Sequence, residues 1–326
     1  LAEVIPRQII FVAIGFVVMI VTALIDYKYW ASLTRYMYIF AIGSLIVIFA
    51  IAQVTFGAAR WLEVGLINIQ PSELAKIIMI LVLADFFAKN QDQPHDIRWI
   101  MKSLVLTGGV VIWIILQPNL STSIVILVIW FSLIWASGLK PKHLLIFVIV
   151  GLMLMTLFFF VGMEDYQKAR ILQFAFPDPD ARYGNTYNVD QALITIGSGG
   201  LAGQGYGQST QVQLRFLKVR HTDFIFSVLA AEFGFVGTSI VVGMIIFVIL
   251  RCFRVARLAS DQFGALIAFG FGVLIFFQTA VNIGVNLNVI PVTGLTLPFV
   301  SYGGSSILSL VLGIGLVESV AAHQRT

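Results

Sequence analysis

Apolar residues fall into nine blocks along this chain, near 8–25, 36–54, 72–88, 103–116, 122–137, 143–162, 223–250, 263–287 and 303–321. About 20 helical residues cross a hydrocarbon core of roughly 30 Å, so the pattern predicts an all-α, polytopic membrane helical bundle. Only Gln117-Pro118-Asn119-Leu120-Ser121 separates the fourth block from the fifth. Pro118 cannot continue the fourth helix, and the two blocks read as a tight helical hairpin.

The polar intervals set the orientation. Segments 26–35, 89–102, 138–143 and 251–262 carry Lys28, Arg35, Lys89, Arg98, Lys102, Lys140, Lys142, Arg251, Arg254 and Arg257, whereas 55–71, 117–121 and 289–302 carry only Arg60. Short basic loops stay on the cytoplasmic side, which places the first set inside. The interval 163–222 then lies outside, as an extracytoplasmic loop within a single transmembrane domain over 1–326. A connection of that length is functional or disordered. Interleaved Leu193, Ile194, Ile196, Leu214, Phe216 and Leu217 predict short amphipathic helices on the membrane surface. A second outer stretch, 291–306, is uncharged and rich in Pro and Gly, as expected of a folded-back segment lining a cavity. Trp30, Tyr36, Trp61, Trp99 and Trp135, near span ends, read as interfacial anchors.

Composition agrees with the pattern. The chain is 59% hydrophobic and 11% charged, with a mean hydropathy of +0.96, against roughly 25% charged in a soluble domain. A net charge of +4 carried in loops points to anionic lipid headgroups and not to nucleic acid. The lone Cys252 permits no internal disulfide and no cysteine metal cluster, and His95, His143, His221 and His323 are scattered. The chain starts at Leu1 without a signal-peptide pattern, and the expectation is that a further N-terminal segment precedes it.

The candidate chemistry gathers between Gly197 and Glu232, where a glycine-rich, permissive backbone leads through Arg215, Lys218 and Arg220 to Asp223 at the mouth of a long apolar helix. Asp223 beside Thr222 suits either a helix cap or a catalytic carboxylate. Glu232, more than two turns further in, calls for a buried partner. Glu73 and Lys76 share a helix face after Gln70-Pro71-Ser72, with Ser72 as the cap. They form either an ion pair that fixes packing or one wall of a functional cavity. Asp85 suits snorkelling or capping. Gly197-Ser198-Gly199-Gly200-Leu201-Ala202 imitates a dinucleotide fingerprint but lacks the surrounding βαβ unit.

Five separated motifs, in order, carry a family resemblance: Gly57-Ala58-Ala59-Arg60-Trp61-Leu62; Gln70-Pro71-Ser72-Glu73-Leu74-Ala75-Lys76; Glu164-Asp165-Tyr166-Gln167 with Arg170; the glycine-rich stretch through His221-Thr222-Asp223-Phe224-Ile225-Phe226; and Pro298-Phe299-Val300-Ser301-Tyr302-Gly303-Gly304-Ser305. The chain resembles the SEDS family (shape, elongation, division and sporulation) of RodA and FtsW over its whole length. Gly-Ser-Gly-Gly-Leu followed by Gln-Val-Gln-Leu-Arg-Phe-Leu is more similar to the elongation branch, RodA, than to FtsW. The resemblance implies about ten transmembrane helices, the first of them missing here. It implies a peptidoglycan glycosyltransferase of the bacterial inner membrane that polymerises lipid II, with a class B penicillin-binding protein as partner. It also implies that Asp223 is the catalytic aspartate, that Glu73 and Lys76 are a paired cavity set, and that Arg60 and Trp61 belong to an outer-loop motif. The chain departs from the family in three further places: Asn119 stands where an Asp is usual, Leu217-Lys218-Val219-Arg220 replaces Leu-Pro-Glu-Arg, and Ala231 replaces a Glu before Glu232.

In the implied reaction a sugar hydroxyl attacks an anomeric carbon and expels a lipid pyrophosphate. That leaving group needs no proton, so one base and positive charge suffice. Asp223 is the expected base, and Arg60, Arg215, Lys218 and Arg220 are expected to bind the diphosphate, a role a divalent cation could share. The rival expectations are a lipid-linked precursor flippase and a non-catalytic scaffold for the penicillin-binding protein. The charge pattern is tested by labelling: a cysteine near Gly205 should react with an impermeant thiol reagent added to intact cells, and one near Lys142 should not. The reverse order would overturn the orientation.

Overall fold

A computed structural model describes residues 4–52, 62–64, 67–92, 96–176, 185–214, 216 and 222–324. Each of the nine apolar blocks is a helix: α1 (Val4–Leu24), α2 (Tyr27–Ala52), α3 (Pro71–Lys89), α4 (Ile97–Leu116), α5 (Leu120–Ala136), α6 (Pro141–Val161), α10 (Ile225–Leu258), α11 (Gln262–Asn286) and α12 (Gly304–Ala322). Between α6 and α10 lie three shorter helices, α7 (Asp165–Ala175), α8 (Asn185–Ser198) and α9 (Thr210–Gln213). Among the described residues, five helices are long and apolar enough to cross a membrane, α2, α4, α10, α11 and α12, or six if the pair α6 and α7, bent by 115°, counts as one span. An antiparallel pair of short strands, β1 (Leu62–Val64) and β2 (Ile67–Ile69), pairs Leu62 with Ile69 and Val64 with Ile67. Hydropathy gave no sign of it.

The chain forms two compact units. The first comprises residues 1–139, 247–277 and 302–326, and α3 is its centre, flanked by α2, α4, α5 and α12. A helix enclosed on all sides must be apolar all round, and α3 is buried almost continuously from Pro71 to Phe87. Its start differs from the expectation that Ser72 caps it. Gln70 is the N-cap and Pro71 the first helical residue, where its fixed φ suits the helix and its missing N–H costs nothing. The α4–α5 hairpin forms as expected, and Asn119 caps α5 by accepting from the Thr122 N–H. A neutral amide is therefore sufficient at this position. Asp85 does not snorkel; it accepts from Lys89 at 2.8 Å and from the Thr34 hydroxyl at 3.1 Å. Trp99 is no interfacial anchor but is buried against Phe87, with ring centroids 5.1 Å apart.

The second unit comprises residues 140–246 and 278–301. Helix α8 buries Val189, Ala192 and Thr195 along one stripe and exposes Leu193 and Ile194. The glycine-rich segment after it is not a flexible loop. Helix α10 breaks at Gly234 (φ 66°, ψ −169°), which would leave the Ala231 and Glu232 carbonyls and the Phe235 and Val236 amides without helical partners. The segment pairs all four: Gln204 N–H with Ala231, Gly205 N–H with Glu232, Phe235 N–H with Gly200 and Val236 N–H with Leu201, at 2.9 to 3.1 Å. Backbone meets backbone so closely that a Cβ on Gly199 would strike the Ala230 carbonyl, and one on Gly203 the Glu232 carbonyl. Gly203→Ala adds that clash to the strain of a φ of +82°, so the fold should lose about 3 kcal/mol or more. Gly207→Ala, at φ +68° in open space, should lose only about 1 to 2 kcal/mol. Thermal unfolding in detergent compares the two; equal losses would show that the segment is not wedged into the helix.

Candidate active site

Asp223 lies in the turn before α10, in the second unit, and three side chains hold the main chain around it. Ser301 donates its hydroxyl to the Thr222 carbonyl (2.8 Å) and accepts from the Leu297 N–H (2.8 Å). The Asp223 carbonyl accepts from the side-chain amides of Asn282 (3.1 Å) and Asn286 (2.9 Å), which lie one turn apart on α11. Asn282 donates also to the Leu295 carbonyl (2.8 Å). Asn286 accepts from the Ser227 N–H (3.1 Å) and hydroxyl (2.6 Å) and donates to the Asn282 carbonyl (2.9 Å). The Ser227 amide is the third of α10, so the cap that Asp223 could have supplied comes from Asn286 instead.

The Asp223 carboxylate lies beside Gly294. Its Oδ2 is 3.8 Å from where a Cβ on Gly294 would stand, and among the described residues no other atom beyond Gly294 and its two chain neighbours lies within 4 Å of that point. Gly294 holds a φ of +80°, a conformation that favours glycine, and its missing side chain leaves room beside the carboxylate. Phe299, a few residues on, also has a positive φ of 65°, sparsely populated backbone of the kind that clusters at functional sites. Loss of solvation raises the Asp223 carboxyl above the ordinary carboxylate range; a hydrogen bond from the Thr222 hydroxyl and the charge of Arg170 oppose this less strongly.

Arg170 comes from α7, whose start is fixed by a capping box between Glu164 and Gln167. It donates to the Val292 carbonyl (3.4 Å) and lies over the Tyr166 ring (5.6 Å). The motif Glu164-Asp165-Tyr166-Gln167 with Arg170 is therefore a cap, a ring and a cation that together deliver positive charge to Asp223. Arg60, Arg215, Lys218, Arg220 and His221 lie outside the described residues. Glu232, buried on α10, bonds not to a buried side chain but to the backbone N–H of the exposed Gly207, which ties the wedged segment down. Among the described residues no group of three or more His, Cys, Asp or Glu gathers as a metal centre. A magnesium ion held by one carboxylate and a substrate's phosphates would need no such group.

In the first unit, Lys76 Nζ lies 2.8 Å from Glu73 Oε1, both side chains being buried, while Glu73 Oε2 has no partner among the described residues. The sequence placed this pair correctly but not Asn282, Asn286 or Ser301. The available signal was a pair of Asn residues four apart in an otherwise apolar span.

The family model of the cell cycle proteins FtsW, RodA and SpoVE matches residues 2–326. The peptidoglycan glycosyltransferase MrdB of Escherichia coli (strain K12) is 37% identical over 320 residues, covering 98% of this chain and 86% of MrdB. A solved structure of a peptidoglycan synthase complex that coordinates polymerization and crosslinking contains a chain 30% identical, with a TM-score of 0.84, covering 98% of this chain and 90% of that one. The crystal structure of the Thermus thermophilus rod shape determining protein RodA is 29% identical, with a TM-score of 0.73, covering 99% of this chain and 89% of that one.

The buried pair generates a test. Lys76→Ala leaves an uncompensated buried carboxylate and should cost about 3 to 5 kcal/mol, whereas adding Glu73→Gln should restore about 1 kcal/mol or more of that loss. Strictly additive losses in thermal unfolding would show that the two do not interact.

Proposed function

We propose how this chain, which belongs to the FtsW, RodA and SpoVE family and is a peptidoglycan glycosyltransferase, carries out its reaction: Asp223 takes the proton of the attacking sugar hydroxyl. The observation that carries this is the carboxylate's position, beside the side-chain-free Gly294 while Asn286 does the capping. The acceptor hydroxyl of one lipid II disaccharide enters there and loses its proton to Asp223. Its oxygen attacks the anomeric carbon of a second lipid II, and the bond to the lipid pyrophosphate breaks. The pyrophosphate departs as a stable anion, so no acid needs to stand opposite the base. Arg170 is the described cation nearest this chemistry and stabilises the negative charge that develops. Arg60, Arg215, Lys218 and Arg220 supply further charge to the diphosphate.

Segment 163–222 and the residues around Asp223 face the outside of the bacterial inner membrane in this reading, supported by the distribution of Lys and Arg among the loops. A class B penicillin-binding protein crosslinks the product in the assembled enzyme. The support for this partner is the likeness to a chain of a synthase complex that both polymerizes and crosslinks.

Asp223→Asn tests the base. The amide cannot accept the hydroxyl's proton, so polymerisation of lipid II in detergent should fall by roughly 10² to 10⁴. Stability should behave oppositely. A carboxyl raised in the folded state stabilises it below the unfolded pKa and loses that contribution as pH rises through the folded value, so at neutral pH the ionised group is a net cost. Asp223→Asn should therefore unfold at the wild-type temperature or above. In the wild-type enzyme, activity should climb with pH along an acid limb lying above the usual carboxylate range. A folded, fully active Asp223→Asn protein would exclude Asp223 as the base.

A further inference from the structure

We infer that Asn282, Asn286 and Ser301 are positioning residues for the base, holding Asp223 by its main chain so that its carboxylate stays free to take a proton. The inference rests on Asp223 being the base. Both carbonyls that flank its N–Cα–C unit are engaged: Thr222 by Ser301, and Asp223 by Asn282 and Asn286. The orientation of the Asn286 amide is fixed by its partners, because Oδ1 takes two Ser227 donors and Nδ2 serves two carbonyls. Asn282 and Ser301 are 1% and 3% exposed, and Asn286 is fully buried, so no water competes for these bonds.

The same side chains also fix what the carboxylate faces. Asn282 joins the Asp223 carbonyl to the Leu295 carbonyl beside Gly294, and Ser301 joins the Thr222 carbonyl to the Leu297 N–H. The two sides of the space at Gly294 are thus pinned to each other through two side chains. A carboxylate held through its own oxygens, as in a helix cap, would have lone pairs occupied and its basicity lowered. Anchoring through the backbone gives the same fixity without that loss. A base must keep its reach to the proton within hydrogen-bonding distance, and a displacement of about 1 Å can cost up to 10²-fold in rate.

The test uses the full chain, purified in detergent, with lipid II as substrate and rates normalised to folded protein. Ser301→Ala should lower kcat by about tenfold to a hundredfold with KM within about twofold. The acid limb of its pH–rate profile should move to lower pH, because a looser carboxylate is better solvated. Ser301→Thr keeps the hydroxyl and should recover most of the rate. Asn286→Asp keeps the acceptor for Ser227 but turns a second oxygen toward the Asp223 carbonyl, and should behave like Ser301→Ala. If Asn286→Asp does not fold, the Ser301 pair decides alone. Wild-type kcat and an unmoved acid limb in Ser301→Ala, even with a lowered unfolding temperature, would overturn the proposal, since that is the mark of a merely structural role. Asp223→Asn is run alongside: if it polymerises normally the base assignment fails, and if it is inactive while Ser301→Ala is normal, only the positioning role fails.

Discussion

In a membrane, a backbone N–H or C=O that leaves helical pairing must find a partner in the protein, and this requirement shapes the second unit. Helix α10 departs from helical pairing at two places, its first turn and Gly234. At Gly234 a segment running from Gly200 to Gly205 supplies four backbone partners. At the first turn the side chains of Asn282 and Asn286 reach across from α11. The two solutions differ in chemistry because the available space differs. Backbone can only pair with backbone if side chains are absent, which is why glycine recurs at 199, 203 and 234. Where a neighbouring helix stands too far for that, a short amide on its surface bridges the gap.

The buried acids are divided by the same logic. Glu232 spends an oxygen on the Gly207 amide, and Glu73 spends one on Lys76. The Glu232 bond joins two pieces of chain, whereas the Glu73–Lys76 pair lies along one face of α3, where each buried charge neutralises the other. Asp223 is treated differently. Its carbonyl carries the structural bonds, and among the described residues its carboxylate meets the Thr222 hydroxyl and the field of Arg170. Burial then raises its pKa, which makes it a stronger base at the expense of fold stability, the trade expected where function conflicts with packing.

Hydropathy alone located all nine long apolar helices, because that signal is local and repeats along each span. Asp223, Glu73 and Lys76 drew notice as candidates for a related reason, since an ionisable residue in an apolar context stands out in any window. The break at Gly234 was not legible. It depends on a second segment some 30 residues earlier, and the glycines that make room for it look identical in sequence to glycines that confer flexibility. The start of α3 was misplaced by two residues because Ser72 and Pro71 are each good helix-start signals, and only the backbone shows that Gln70 is the cap and Pro71 occupies the first turn. Arg170 was visible as part of a motif, but it is about 50 residues from Asp223 in sequence, and nothing local announced that its charge would act on that carboxylate. Asn282 and Asn286 carry no charge, and a polar pair on an apolar helix is silent about which backbone it will meet.

The broken helix bears on the choice between enzyme and transporter. Transporters commonly interrupt helices near the midplane and leave the unwound carbonyls and amides facing a cavity, where they coordinate the transported ion or substrate. Helix α10 has such an interruption, which a topological comparison would count in favour of transport. Here, however, the Ala231 and Glu232 carbonyls and the Phe235 and Val236 amides are all bonded to the chain's own glycine-rich segment. None of the four remains to coordinate cargo, and Gly203 packs too closely on the break for a ligand to enter. Freeing them would require withdrawing the whole wedge, together with the Glu232–Gly207 bond that ties it down. The interruption therefore works as a rigid joint. Its effect is to fix the short helical stretch between Gly234 and Asp223 from its inner end, while Asn282, Asn286 and Ser301 fix it from the other. A carboxylate held at both ends of its element suits bond-making at one place, which is the demand of glycosyl transfer.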